Sequence, residues 1–123
     1  MKTILIVDDH SDLRELVEVT LQVSNYRILH AASGIQAIEI SQKESPDLIL
    51  MDVMMPGDMD GYEATKIIKN DPKMDKCKVI MLTSKGQKKD KKKGFEAGAI
   101  DYFVKPFSPL DLIKKVEEVL END

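Results

Sequence analysis

Asp47-Leu48-Ile49-Leu50-Met51-Asp52-Val53-Met54-Met55-Pro56 decides the fold. Its apolar run, Leu48 to Met51, is bounded by turn-forming residues and is short enough for a buried strand. The run delivers Asp52 at its carboxyl end. Three other runs end in the same way: Ile4–Val7 in Asp8-Asp9, Val79–Leu82 in Thr83, and Ile100–Val104 in Lys105-Pro106. Helical patterns separate them, so the strands are expected to be parallel. Open parallel sheets carry their sites at the carboxyl ends of strands. Three carboxylates, a hydroxyl and an ammonium should therefore meet at one sheet edge.

The helical segments have recognisable starts. Ser11 is expected to cap a helix with the stripe Leu13, Leu16, Val17 and Leu21. Tyr26 to Ala31 reads as a weaker edge strand. Ser33-Gly34-Ile35-Gln36 fits a capping box, followed by Ile35, Ala37, Ile38 and Ile40. Asp60-Gly61-Tyr62-Glu63 starts a third helix, with Ala64, Ile67 and Ile68 behind it, and Asp71-Pro72 ends it. Gln87 to Ala97 is helical but poor in apolar residues. Ser108-Pro109 opens the last helix, whose stripe is Leu112, Ile113, Val116, Val119 and Leu120. Five strand–helix units with short connections place helices on both faces of a parallel sheet, an α/β doubly wound architecture.

Bulk properties narrow the function. With 123 residues, 42% hydrophobic and 33% charged, residues 1–123 read as one globular domain. The net charge of -4 argues against general nucleic-acid affinity. Cys77 is the only cysteine, so no internal disulfide forms and a reducing cytoplasm is compatible. No apolar stretch approaches the roughly 18 residues of a membrane span.

Asp8, Asp9 and Asp52 close together would raise one another's pKa unless a cation sat among them. Strand-end carboxylates without a His or Cys cluster favour Mg2+ or Mn2+ over zinc. Asp9 is placed to bind such an ion directly, with Asp8 acting through water. A central carboxylate is a competent phosphoryl nucleophile, which assigns that role to Asp52. Phosphoryl transfer needs mostly alignment and charge neutralisation. Lys105 can neutralise one equatorial oxygen, and the Thr83 hydroxyl can donate to another. Taken singly, each of these residues is ordinarily a turn, a cap or a solvated charge. Four of them at four strand ends reverse that reading.

These motifs resemble response-regulator receiver domains, the CheY-like family. The resemblance rests on Ile4–Asp9, Asp47–Pro56, Asp60-Gly61, Val79–Ser84, Ala97-Gly98-Ala99 and Lys105-Pro106-Phe107, and it covers essentially the whole chain. It implies strand order 2-1-3-4-5. It implies phosphorylation of Asp52 by a phosphohistidine on a sensor histidine kinase or histidine phosphotransfer protein, with Mg2+ required. Metal ligands carry over to Asp9, Asp52 and the Met54 carbonyl, with Asp8 in the outer shell. Thr83 and Lys105 carry over as phosphoryl ligands, and Lys105-Pro106 as a cis peptide. The family's switch couples Thr83 to an aromatic, here Tyr102, expected to be partly exposed while Phe103 is core. The residues flanking the path of the hydrolytic water are Met54 and Lys85. Neither assists a water, so slow self-dephosphorylation is expected.

Pro56-Gly57-Asp58-Met59-Asp60-Gly61 is one residue longer than the family's usual Pro-Gly-x-Asp-Gly. Asp58 lies too far along this loop for a metal ligand. The insertion is either a plain surface feature or one that alters docking of a kinase or phosphatase. Lys85 to Lys93 holds six lysines and one acid, Asp90. It is either a solvated face or a docking surface for an acidic downstream target, on the signalling face of the fourth helix, fifth strand and fifth helix. His10 and His30 read as surface or edge residues.

The function expected is a cytoplasmic phosphorylation switch, a monomer or a phosphorylation-induced dimer, and not an enzyme acting on a separate substrate. The alternative is a receiver within a larger transcriptional regulator or hybrid histidine kinase. A haloacid-dehalogenase-type phosphatase would need Asp-x-Asp after the first strand, which Asp8-Asp9-His10 does not supply. A flavodoxin-like protein would need a phosphate loop of Ser, Thr and Gly there instead.

Overall fold

The computed structural model describes residues 1–84 and 86–121. The elements run β1 (Lys2–Val7), α1 (Ser11–Leu21), β2 (Tyr26–Ala31), α2 (Gly34–Glu44), β3 (Leu48–Met51), α3 (Gly61–Lys69), a 3-10 turn (Pro72–Met74), β4 (Lys78–Thr83), α4 (Lys88–Ala97), β5 (Asp101–Val104) and α5 (Pro109–Glu121). The five strands form one sheet in the order β2-β1-β3-β4-β5, and every neighbouring pair is parallel.

Strand alternation splits the core into two layers. Leu5, Val7, Ile49, Met51, Val79 and Met81 point to one face, where Ala37, Tyr62, Ala64 and Ile68 of α2 and α3 cover them. Ile4, Ile6, Leu48, Leu50, Ile80 and Leu82 point to the other, under Val17 and Leu21 of α1 and Leu112, Val116 and Leu120 of α5. Covered on both sides, β3 has no exposed residue, which is why it reads as an unbroken apolar run.

Two helix starts follow the sequence. Ser33 Oγ accepts the Gln36 N–H at 3.2 Å, although the Gln36 side chain reaches back to the Ala32 N–H rather than to Ser33. Asp60 Oδ1 accepts the Glu63 N–H at 2.9 Å. The α1 start differs. His10 is the N-cap and Ser11 the first helical residue. The Asp8 carboxylate accepts the His10 N–H at 2.8 Å, and this turn fixes the entry into the helix one residue early.

Leu16, Ile35 and Ile67 are exposed, against the stripes expected of them. Leu16 lies about 100° or more from the buried face marked by Val17 and Leu21, Ile35 lies about 160° from Ala37, and Ile67 lies about 60° from Ala64 and about 100° from Ile68, at the rim of the covered arc. Ile100 is exposed as well, because β5 begins at Asp101.

Burial also reverses the expectation for the aromatics. Tyr102 is buried at 7% exposure, whereas Phe103 only packs partly against the α1/α5 layer. The space for Tyr102 comes from α4: a Cβ at Gly94 would stand 2.9 Å from Tyr102 Cδ2. Only glycine lets the helix come so close.

Cys77 is buried, and burial pushes its thiol up to about 11 from 9.0. Since the thiolate is the reactive form, the folded protein should react with a disulfide reagent about a hundredfold more slowly than the unfolded chain. Stopped-flow traces with and without denaturant measure this. Equal rates would refute it.

Candidate functional site

β1 and β3 are neighbours, and the ladder continues past both: the Asp52 N–H donates to the Val7 carbonyl at 3.0 Å. This brings Asp52 beside the end of β1, where Asp8 follows. The Asp8 N–H in turn donates to the Ala31 carbonyl of β2 at 3.1 Å. Asp8 and Asp52 are both buried, while Asp9, one residue on, points to solvent. On the other flank, the Lys105 N–H donates to the Thr83 carbonyl at 2.8 Å, tying the ends of β4 and β5 together. Thr83 is fully buried, and the Lys105–Pro106 peptide is cis.

Lys105 joins the two halves. Its Nζ donates to Asp8 Oδ2 at 2.9 Å and lies 3.7 Å from Asp52 Oδ1. The five sequence-nominated side chains thus sit on adjacent strand ends. Burial pushes Asp8 up, but the His10 N–H and the Lys105 ammonium outweigh it, and its pKa lies below the ordinary 3.8. Asp52 goes the other way. Burial raises it to about 6, and the nearby Asp8 charge adds to this against the opposing pull of Lys105 and of the Val53 and Met54 N–H groups. The pull of Lys105 does not offset the burial of this carboxylate.

The residues present fit a hard divalent cation. Carboxylate oxygens dominate the donor set, and one oxygen or nitrogen from each of Asp8, Asp9 and His10 lies within 4.8 Å of the others. His10 is thus at the site rather than merely on the surface. Its ring is 72% exposed, and Nδ1 lies 3.0 Å from Asp8 Oδ1 and 3.2 Å from Asp9 Oδ1. Its hydrogen bond to Asp8, reinforced by the Asp9 charge, raises its pKa. Arg14 is a second residue missed by sequence reading; Nη1 donates to the Asp8 carbonyl oxygen. The only signal for either was closeness to Asp8-Asp9, one residue away for His10 and five for Arg14.

The longer loop does not add a ligand. Asp58 is exposed, and Gly57 takes a φ of +93°. The loop lays Met59 against the start of α2, where a Cβ at Gly34 would lie 3.1 Å from Met59 Cγ. Lys85, named as a flank of the water path and as the first of the lysine run, lies outside the described residues. No helix among the described residues is long and apolar enough to cross a membrane.

Comparison with known proteins agrees with this geometry. Residues 4–117 match the response regulator receiver domain family. The phosphate regulon transcriptional regulatory protein PhoB of Pseudomonas aeruginosa is 43% identical over 121 residues, which are 98% of this chain and 52% of PhoB. The chain spans about half the length of the curated relatives it matches. Among solved structures, chemotaxis protein CheY4 of Vibrio cholerae aligns with a TM-score of 0.89 at 35% identity, over 97% of this chain and 98% of that one. The BeF3-activated receiver domain of DrrB, from Thermotoga maritima, aligns with a TM-score of 0.87 at 35% identity, over 98% of both chains. Receiver domains are the phospho-accepting switches of two-component systems; they take phosphate from histidine kinases, act on downstream targets and generally bind Mg2+ at an acidic pocket. Sheet order, acidic strand ends and a match running from β1 into α5 agree: the chain belongs to the response regulator receiver domain family.

Proposed function

We propose that Asp52 is the phospho-acceptor, and that it takes the phosphoryl group from a phosphohistidine of a sensor histidine kinase or histidine phosphotransfer protein. The observation that supports this most is the pairing of Asp52 with Lys105 at the end of the central strand, with Asp8 on the other side of the same ammonium. An Asp52 carboxylate oxygen attacks phosphorus, the N–P bond breaks, and the imidazole leaves. Charge develops on the three equatorial oxygens. Lys105 needs only a small shift from Asp8 to meet one of them. The Thr83 hydroxyl, one strand over, donates to another. Mg2+, when bound, offsets the charge of the carboxylates and of the incoming phosphoryl group. Asp9, Asp52 and the Met54 carbonyl would hold it, with Asp8 in the outer shell; Mn2+ would serve in its place. The domain thus acts on itself and turns over no separate substrate.

Acetyl phosphate with Mg2+ should add one phosphoryl group, seen by mass spectrometry. Asp52→Asn should abolish the addition. Labelling of Asp52→Asn at the parental rate would overturn the assignment, and an unchanged rate in excess EDTA would remove the metal from it.

The downstream target is proposed to dock on the α4-β5-α5 face. Lys88, Lys91 and Lys92 precede Phe95, which is 48% exposed, by seven, four and three residues and so share its side of α4. Such a surface suits an acidic segment carrying an apolar anchor. A second reading places this domain in a longer transcriptional regulator, favoured by relatives twice its length that are so named. The signalling role of the site is the same in both.

The phosphorylated form is expected to last. Met54 is apolar and its side chain is exposed beside the site, so it cannot orient a water. Met54→Asn combined with Lys85→Glu should speed phosphate loss about tenfold or more. An unchanged or slower rate in the double variant would reject this account.

A further inference from the structure

Contacts around α4 join into one chain of hydrogen bonds. The Tyr62 hydroxyl of α3 donates to the Asp90 carbonyl oxygen, in the first turn of α4, at 3.0 Å. The Tyr62 and Tyr102 hydroxyls lie 3.0 Å apart in a buried site. A phenol has one proton to donate. Tyr62 gives its proton to α4, so Tyr102 is the donor in the second bond. Burial, and then the Tyr62 hydroxyl, hold the Tyr102 phenol above its ordinary pKa, which keeps it a donor. The relay thus has one direction, from β5 through α3 to α4.

Little else fixes α4. Gly94 is its only buried residue. There the helix rests on the Tyr102 ring, one turn beyond Asp90. Lys93 Nζ sits 5.2 Å from the centre of the Tyr62 ring. Elsewhere the helix has an Asp90 carboxylate accepting the Gln87 N–H at 3.2 Å and an exposed Lys92–Glu96 pair at 3.9 Å, set against lysine repulsion. Lys88 and Lys89 oppose the helix dipole in the first turn, and Lys88/Lys92 and Lys89/Lys93 are like-charge neighbours. A helix with so little burial and so much self-repulsion keeps its place through a few directional contacts. The Tyr62 hydroxyl is one of them.

We propose that Tyr62 is a positioning residue that couples the rotamer of Tyr102 to the position of α4. The inference rests on Tyr102 being the switch partner of Thr83, and it adds the route by which that switch reaches the docking face. When Tyr102 leaves its buried place, Tyr62 loses its donor and the underside of α4 loses its support. Coupling is reciprocal, so a target that holds α4 in a new position also changes the hold on Tyr102.

Hydrogen exchange of α4 amides tests this in the wild type, Tyr62→Phe, Tyr102→Phe and the double variant, each with and without Mg2+ and beryllofluoride. Both single variants should raise exchange in α4 about fivefold, as expected for one hydrogen bond. The double variant should exceed Tyr62→Phe by little, because that variant already lacks both bonds of the relay. Beryllofluoride should change α4 exchange in the wild type, and Tyr62→Phe should lose at least about half of that change. Beryllofluoride affinity and β1 exchange should stay the same, which a general loosening of the fold would not allow. Wild-type exchange in Tyr62→Phe, multiplicative effects in the double variant, or a full beryllofluoride response would each overturn the coupling. A wild type that ignores beryllofluoride would instead count against the acceptor role of Asp52, and the ligand-free double-variant comparison would still decide the coupling.

Discussion

Asp52→Asn should make the metal-free domain more stable, by about 1–3 kcal/mol near pH 8. Burial holds the Asp52 carboxyl at about 6 rather than 3.8 in the folded protein. The folded state therefore binds this proton more tightly than the unfolded chain does. Below about pH 4 the group is protonated in both states and has no effect. Between about pH 4 and 6 the unfolded chain ionises first, and stability falls as pH rises. Above about pH 6 the cost is complete and constant, about 3 kcal/mol at most. Asparagine has no such charge, and its carbonyl can still accept one of the N–H groups that point at Asp52. Lys105 keeps Asp8 as a partner at 2.9 Å. Urea unfolding in EDTA across this range should show the gap between variant and parent opening from acid to neutral pH and then levelling. A variant less stable than the parent at pH 8, or a gap independent of pH, would contradict it. The site is thus built against the stability of the empty fold, as a site that waits for a cation and a phosphoryl group must be.

Gly61→Ala should be among the most damaging single-methyl changes in the chain. A Cβ at Gly61 would lie 2.0 Å from the Asp52 carbonyl oxygen and 2.9 Å from Val53 Cα. These are backbone atoms and cannot rotate aside. The Gly61 N–H also donates to the Val53 carbonyl at 2.9 Å, so α3 starts against the strand that carries the acceptor. Relief must come from moving α3 or the end of β3. The expected loss is about 3 kcal/mol or more. The atoms that must move include those of Asp52 itself. Phosphorylation of the molecules that remain folded should therefore fall about 10- to 100-fold, the effect of a misplaced nucleophile. Gly57→Ala is the control: no atom lies within 4 Å of its Cβ, and only the strain of its positive φ remains, about 1–2 kcal/mol. Denaturation midpoints and acetyl phosphate labelling measure both effects. A loss below about 1 kcal/mol in Gly61→Ala would show that the helix start is looser than this contact requires.

Much of this protein is written locally. The runs Leu48–Met51 and Val79–Leu82 are strands because they are apolar throughout and bounded by turn residues, and a strand covered on both faces needs nothing more. Ser33 and Asp60 cap their helices because the cap is a contact three residues long. Asp52, Thr83 and Lys105 could be nominated from the sequence because a parallel sheet sends every strand end to the same edge.

Other features depend on what lies across the fold. Which apolar residues of a helix are buried depends on the width of the sheet beneath it, so Leu16, Ile35 and Ile67 kept their hydrophobicity and lost their place in the core. The burial of Tyr102 was decided by Gly94 on α4, and its partner by Tyr62, 40 residues away. The opposite pKa shifts of Asp8 and Asp52 have the same origin. The two residues share one composition and one ammonium, but Asp8 has the His10 N–H and the shorter contact to Lys105, and Asp52 has the greater burden of desolvation. Residue type and spacing specify what a short stretch of chain does with itself. Where a buried polar group finds its partner is set by distance in three dimensions, and only the tertiary structure decided that.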